Sequence, residues 1–253
     1  MRTIKVRGVE LGTGIPKTIV PIVAKTRDAI LDKAREIRPL PADLVEWRAD
    51  FYEDLLDEAK LLSTLNELRQ VLGETPILFT IRTKPEGGEI EIDSKTYGTV
   101  NLAVAGSGGA DMIDVEIEKS GSQALIDGIR KAGCLVVGSR HDFKATPPKD
   151  DMVATLKKAQ DMGADIPKIA VMPQSDSDVT ALLCASSEFC ENYADRPFLT
   201  ISMGPRGMIS RVACETSGSC MTFGAAGQTS APGQIQLKEL KDVLSLIHRA
   251  QGA

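Results

Sequence analysis

Lys168 stands inside the run Ile166-Pro167-Lys168-Ile169-Ala170-Val171-Met172, an unusual place for an ammonium group. Burial among Ile and Val disfavours the charged form of an amine. A neutral amine attacks a carbonyl and an ammonium does not, so this lysine suits Schiff-base chemistry. The same sequence also fits a strand-end lysine whose amine snorkels to water. His141 ends the run Val136-Val137-Gly138-Ser139-Arg140-His141-Asp142, and imidazole titrates where proton transfer is useful. A histidine that only caps a turn or helix would look the same. His248, between Ile247 and Arg249 in a helical stretch, has no companions with which to build a site.

Other charges lie in or beside short apolar runs. Glu46 and Arg48 are two apart in Leu44-Val45-Glu46-Trp47-Arg48, which puts both on one face of a strand. They form either an internal ion pair or a contact to a polar ligand, because two desolvated charges are costly. Arg82 ends Leu78-Phe79-Thr80-Ile81-Arg82, and Arg211 follows Met208-Ile209-Ser210. Glu86-Gly87-Gly88 and Gly204-Pro205-Arg206-Gly207 match neither phosphate-loop pattern and read as turns. The first carries a carboxylate able to orient His141. The two histidines lie far apart without metal-ligand spacing, so no metal site is expected.

The elements that must position these residues recur along the chain. Strand candidates are Ile19 to Ala24, Leu44 to Arg48, Ile77 to Arg82, Met112 to Ile117, Leu135 to Ser139, Ile166 to Met172, Phe198 to Met203 and Met221 to Gly224. Amphipathic stretches lie between them: Ala29 to Ile37, Leu55 to Leu72, Tyr97 to Ala105, Gln123 to Ala132, Asp151 to Met162 and Val179 to Tyr193. Leu237 to Ala250 follows the last strand, and the connector Arg206 to Ala213 has room for a brief helix. Near-continuous Val/Ile/Leu runs alternating with helical periodicity indicate a parallel sheet with helical crossovers. Eight such units predict an α/β chain folded as a (β/α)8 TIM barrel, with functional residues at the C-terminal strand ends. Ile4 to Leu11, with Gly8 in the middle, reads as a short β-hairpin closing the N-terminal mouth. No linker or repeat divides residues 1–253, so one catalytic domain is expected.

The totals agree with that architecture. A length of 253 residues suits one barrel, and 42% apolar with 26% charged residues is ordinary globular composition. A net charge of −5 argues against nucleic acid or an anionic membrane as partner. Five cysteines without a C-x-x-C pair make a poor disulfide framework. The first residues have no apolar core of signal-peptide length, and no stretch approaches a membrane span, so the expected compartment is cytoplasmic.

Seven segments together resemble one family. Glu46-Trp47-Arg48, Phe79-Thr80-Ile81-Arg82, Glu86-Gly87-Gly88, His141-Asp142-Phe143, Ile166-Pro167-Lys168-Ile169-Ala170, Ser210-Arg211 and Ser230-Ala231-Pro232-Gly233-Gln234 resemble, in order, the motifs of the type I 3-dehydroquinate dehydratases. The resemblance implies a (β/α)8 lyase, usually a homodimer, of the shikimate pathway toward chorismate and the aromatic amino acids. It implies Schiff-base dehydration of 3-dehydroquinate to 3-dehydroshikimate, with no external cofactor. Lys168 is then the Schiff-base lysine, His141 the general acid and base, and Glu86 its carboxylate partner. Glu46, Trp47, Arg48, Arg82, Arg211, Ser230 and Gln234 are implied substrate contacts. Thr229 to Gln234 is expected to close over the substrate as a lid.

Two positions depart from the family's pattern. Pro21 stands where many relatives have serine, and a proline has no such hydrogen bond to give. Cys214 stands where glycine is common, either as a passive small side chain or as a shift of the backbone beside Arg211. Two competing readings differ in class. A class I aldolase or transaldolase also uses a barrel lysine, but His141, Glu86 and several arginines suit dehydration of a carboxylate-bearing ring better. A barrel kept only as a metabolite-binding scaffold would bind ligand without turnover.

Overall fold

The structure, a computed structural model, describes residues 2–227 and 233–252. The chain opens with two short antiparallel strands, β1 (Ile4–Val6) and β2 (Val9–Leu11). Eight parallel strands follow: β3 (Lys17–Ile22), β4 (Leu44–Arg48), β5 (Ile77–Thr80), β6 (Met112–Glu116), β7 (Leu135–Asp142), β8 (Ile166–Val171), β9 (Leu199–Ser202) and β10 (Met221–Ala225). The ladder runs β10-β3-β4-β5-β6-β7-β8-β9, and a short β11 (Ile235–Gln236) pairs with β10. Cys220 N–H donates to Phe198 O at 2.8 Å, which joins the two ends of the ladder and closes a (β/α)8 barrel.

Helices return the chain between strands: α1 (Arg27–Ile37), α2 (Glu58–Leu72), α3 (Ser94–Ser107), α4 (Ser122–Lys131), α5 (Lys149–Asp161) and α6 (Asp176–Asn192). After β9 comes a 3₁₀ turn over Arg206–Arg211, inside the connector expected to hold a short helix, and then the brief α7 (Cys214–Ser217) just beyond that connector. After β10 comes α8 (Leu237–Ala250). α1 and α3 begin two and three residues before their apolar periodicity because a side chain caps each: Thr26 accepts from Ala29 N–H, and Asp93 from Lys95 and Thr96 N–H. α2 instead begins three residues after the expected Leu55, where Asp57 caps it by accepting from Lys60 N–H.

Alternation along each strand separates two environments. Outward residues such as Val20, Val45, Trp47, Phe79, Ile113, Val115 and Val136 pack against the helices in one buried cluster. Inward residues nearest the strand N-termini form another: Ile19, Leu44, Leu78, Met112, Val137, Ile166, Leu199 and Met221. Val6 and Leu11 of the hairpin join that inner cluster, so the hairpin plugs the N-terminal mouth as expected.

Candidate active site

Two residues further along each strand the barrel interior changes character. Glu46 on β4, Asp114 on β6 and Lys168 on β8 point inward, each buried. Lys168 Nζ lies 3.1 Å from Asp114 Oδ2 and 4.0 Å from Glu46 Oε1, with the Phe223 ring centroid at 5.3 Å. The sequence predicted a lysine in apolar surroundings. Burial is met, since Lys168 is 3% exposed, but its neighbours across the interior are carboxylates. The flanking Ile169 and Val171 pack outward with the helices. Thr80 Oγ1 donates to Glu46 at 2.9 Å, and Ser139 Oγ to Asp114 at 2.5 Å, so both acids are held in place.

Arg82 gathers the acids. Its guanidinium lies 2.8 Å from Asp114, 3.1 Å from Glu116 and 3.5 Å from Glu86. Burial would loosen its proton, but Asp114, Glu116 and Glu86 outweigh burial and hold it charged, above its ordinary value. Burial would likewise push the Asp114 carboxyl up, yet Arg82 and Lys168 keep it below its usual range. Arg48 makes a two-pronged pair with Asp50, at 2.8 Å on each side.

Glu86 reaches His141 from a 3₁₀ turn, Lys84–Glu86, that follows β5. His141 N–H donates to Glu86 Oε2 at 2.9 Å, and His141 Nδ1 lies 3.0 Å from the same oxygen. The two glycines after Glu86 make this turn possible. A Cβ on Gly88 would fall 1.9 Å from Arg82 O, and one on Gly87, at φ +81°, would strike the Phe143 ring at 2.4 Å. Burial, with Glu116 and Asp114 adding to it, pushes the Glu86 carboxyl up to about 7. Burial, then the charges of Arg82, Lys168, Arg48 and Arg140, holds His141 well below its usual value, so its ring is neutral at neutral pH. With Glu86 ionised, the neutral ring donates from Nδ1–H and keeps a lone pair on Nε2 as a base.

Glu46, Arg48, Arg82, His141, Lys168, Arg211 and Gln234 line one cavity that opens to solvent. Pro21, Phe143, Ala170, Ile201, Met203 and Phe223 complete its wall. Arg211, at the end of the 3₁₀ turn after β9, is 3% exposed. Among the described residues, no carboxylate lies within salt-bridge distance of it, and its Nε has no hydrogen-bond partner. Burial lowers its affinity for its proton, as for a cation awaiting an anion.

Trp47 requires a correction. It was expected to touch substrate alongside Glu46 and Arg48, but alternation turns it outward, fully buried among Val45, Phe79 and Tyr52. Ser230 and residues 229–232 of the expected lid lie outside the described residues. Pro21 lines the wall and has no hydroxyl or N–H to donate there. Cys214 is a buried neutral thiol, pushed up to about 11 by burial, whose one S–H faces two acceptors, Ser210 O and Arg211 O, each 3.3 Å from Sγ. The sequence reading missed Asp114, Glu116 and Asp50. Asp114-Val115-Glu116 repeats the spacing that singled out Glu46 and Arg48, so the same two-residue rule finds Asp114 and Glu116 but not Asp50, which lies past the end of β4.

A statistical model of the family described as Type I 3-dehydroquinase matches residues 18–251. The chain is 47% identical to a 3-dehydroquinate dehydratase of Bacillus licheniformis over 250 residues, 98% of each chain. It is 46% identical to one from Syntrophotalea carbinolica, over 98% of this chain and 99% of the relative. The crystal structure of a type I 3-dehydroquinate dehydratase from Clostridium difficile, covalently modified with comenic acid, superposes with a TM-score of 0.96 at 42% identity, covering 98% of this chain and 99% of that one.

Proposed function

The chain belongs to the type I 3-dehydroquinase family, and from that premise we propose how its residues divide the reaction. The protein is a hydro-lyase that dehydrates 3-dehydroquinate to 3-dehydroshikimate, in the shikimate pathway toward chorismate and the aromatic amino acids. The substrate ring carries a ketone, a hydroxyl β to it and a carboxylate.

Lys168 gives up a proton to solvent, and its amine, held 3.1 Å from Asp114 and 4.0 Å from Glu46, attacks the ketone carbon. Loss of the ketone oxygen as water leaves a protonated imine. That cation acidifies the neighbouring C–H, and His141 removes the proton to give an enamine. The enamine expels the β-hydroxyl, which leaves as water carrying the proton from His141. A water then hydrolyses the imine, so the net loss is one water. Glu86 holds His141 in the tautomer that leaves Nε2 as base.

Arg211 receives the substrate carboxylate, because a guanidinium fork matches two carboxylate oxygens. Glu46, Arg48 and Arg82 hold hydroxyls, Gln234 contributes from the cavity wall, and Ser230 is a further substrate contact in this reading. Arg82 does so while its own charge is shared among Asp114, Glu116 and Glu86. The observation that carries the reading is the meeting of three groups in one cavity: a buried lysine, a histidine held neutral, and a buried arginine without an acidic partner among the described residues.

The reading extends to a cytoplasmic homodimer of one barrel domain that takes a small-molecule substrate. All five cysteines are free thiols, which suits a reducing compartment. Met208 and Ile209 of the 3₁₀ turn after β9, and Val243 and Leu246 of α8, are exposed apolar side chains of the kind a second copy covers.

Incubation with 3-dehydroquinate should produce the ultraviolet absorbance of the conjugated product. Borohydride added during turnover should reduce the imine and fix its mass on Lys168. An adduct mapped to Lys157 or Lys158 instead would overturn the assignment.

A further inference from the structure

Glu116 ends β6 beside Glu86, yet no step above uses it. Its carboxylate is 3% exposed and accepts three bonds: from Thr83 N–H at 2.8 Å, Thr83 Oγ1–H at 2.7 Å and Arg82 at 3.1 Å. Thr83 is the root of the turn that delivers Glu86. Its carbonyl accepts from Glu86 N–H at 3.0 Å and from Gly88 N–H at 2.9 Å. Thr83 itself is buried and forms no part of the cavity wall.

We infer that Glu116 is a positioning residue for proton transfer: through Thr83 and Arg82 it fixes the turn that sets Glu86 against His141. The inference rests on the roles proposed above for His141 and Glu86. Turns after barrel strands are ordinarily the mobile part of the fold. A proton-transfer pair works only when held to within about 0.5 Å. Three charge-assisted bonds from a strand-end carboxylate transfer the stiffness of β6 to the turn. The charges facing Glu86 come from several elements. They are Arg82 after β5, Asp114 and Glu116 on β6, and Arg140 and His141 on β7. The negative charge of Glu116 joins burial in raising the Glu86 carboxyl, so Glu116 sets both its place and its proton affinity.

Thr83→Val keeps the shape of the side chain, removes one donor and changes no charge. It should lower kcat about 10-fold with KM within about 2-fold, because a buried carboxylate left short of a donor shifts to find another. Borohydride trapping on Lys168 should stay complete, and Thr83→Ser, which restores the hydroxyl, should recover turnover. Glu116→Gln should move the acid limb of the kcat profile to lower pH, a shift that mere loosening of the fold would not produce. Wild-type kcat in Thr83→Val, a loss that serine does not repair, or an unmoved acid limb in Glu116→Gln overturns the inference. Failure to trap Lys168 in the wild type is a separate result, and it strikes the proposed function instead.

Discussion

The lower and upper halves of the barrel interior are built by the same strands, two residues apart, with opposite chemistry. Leu44, Leu78, Met112, Val137 and Ile166 fill the lower half with aliphatic carbon. The next inward positions on those strands are Glu46, Thr80, Asp114, Ser139 and Lys168, followed by Arg48 on β4, Glu116 on β6 and His141 on β7. The strand charges that line the cavity run from β4 to β8. Ile201 of β9, Met203 just past it, Phe223 of β10 and Pro21 of β3 are apolar, and Arg211 joins that side of the wall from the turn after β9. Replacing buried ion pairs with packed apolar groups is often neutral or stabilising. The lower half therefore holds the barrel together, and the upper half carries charges that stability alone does not call for.

Two substitutions set the halves against each other. His141→Ala should lower kcat by about 10²–10⁴-fold, while an imine still accumulates on Lys168. Its stability should stay near wild type, because the loss removes a buried polar group rather than core volume. Turnover with borohydride trapping, read beside urea unfolding, separates the two effects; a large loss of stability in His141→Ala would break the comparison. Leu78→Ala should do the reverse. Leu78 is 1% exposed in the lower layer, and its truncation should cost about 2–5 kcal/mol of stability. Turnover of the folded fraction should remain within about 3-fold of wild type, since Leu78 is not part of the cavity wall.

Much of this division was legible in the sequence, because a two-residue period fixes which side chains share a face. The barrel strands fall where the apolar runs do, and Lys168, His141, Glu46 and Arg48 meet in one cavity. The misreadings came from giving a motif more weight than the period. Trp47 sits between two site residues in sequence, and for that reason it faces the helices. Strand ends were harder to place. β7 runs on to Asp142, three residues beyond its apolar stretch, because Arg140, His141 and Asp142 pair with Ile169, Ala170 and Val171 of β8. No apolar pattern marks residues held by a ladder while their side chains do chemistry. Asp50, which clamps Arg48, lies past a strand end, where period carries no information.

The smallest expected effect lies within the upper half, in the pH dependence of Glu86. Its carboxyl is pushed up to about 7 by burial, chiefly, and by the neighbouring Glu116 and Asp114. His141 is held neutral well below that range, so it is Glu86 that titrates near neutrality. Below pH 7 the protonated carboxyl donates to Nδ1, which moves the ring proton to Nε2 and removes the base. Above pH 7 the carboxylate accepts from Nδ1–H at 3.0 Å, leaves Nε2 free, and stabilises the imidazolium that forms. Wild-type kcat should therefore rise through an acid limb centred near 7. Glu86→Gln has no proton to lose there, so its profile should be flat across this range. Its kcat should fall several-fold below wild type at about pH 8 and approach it at about pH 6, because the shuttle survives and only its alignment and charge change. An acid limb that persists near 7 in Glu86→Gln would assign the titration to another group and leave Glu86 as a hydrogen-bond acceptor alone.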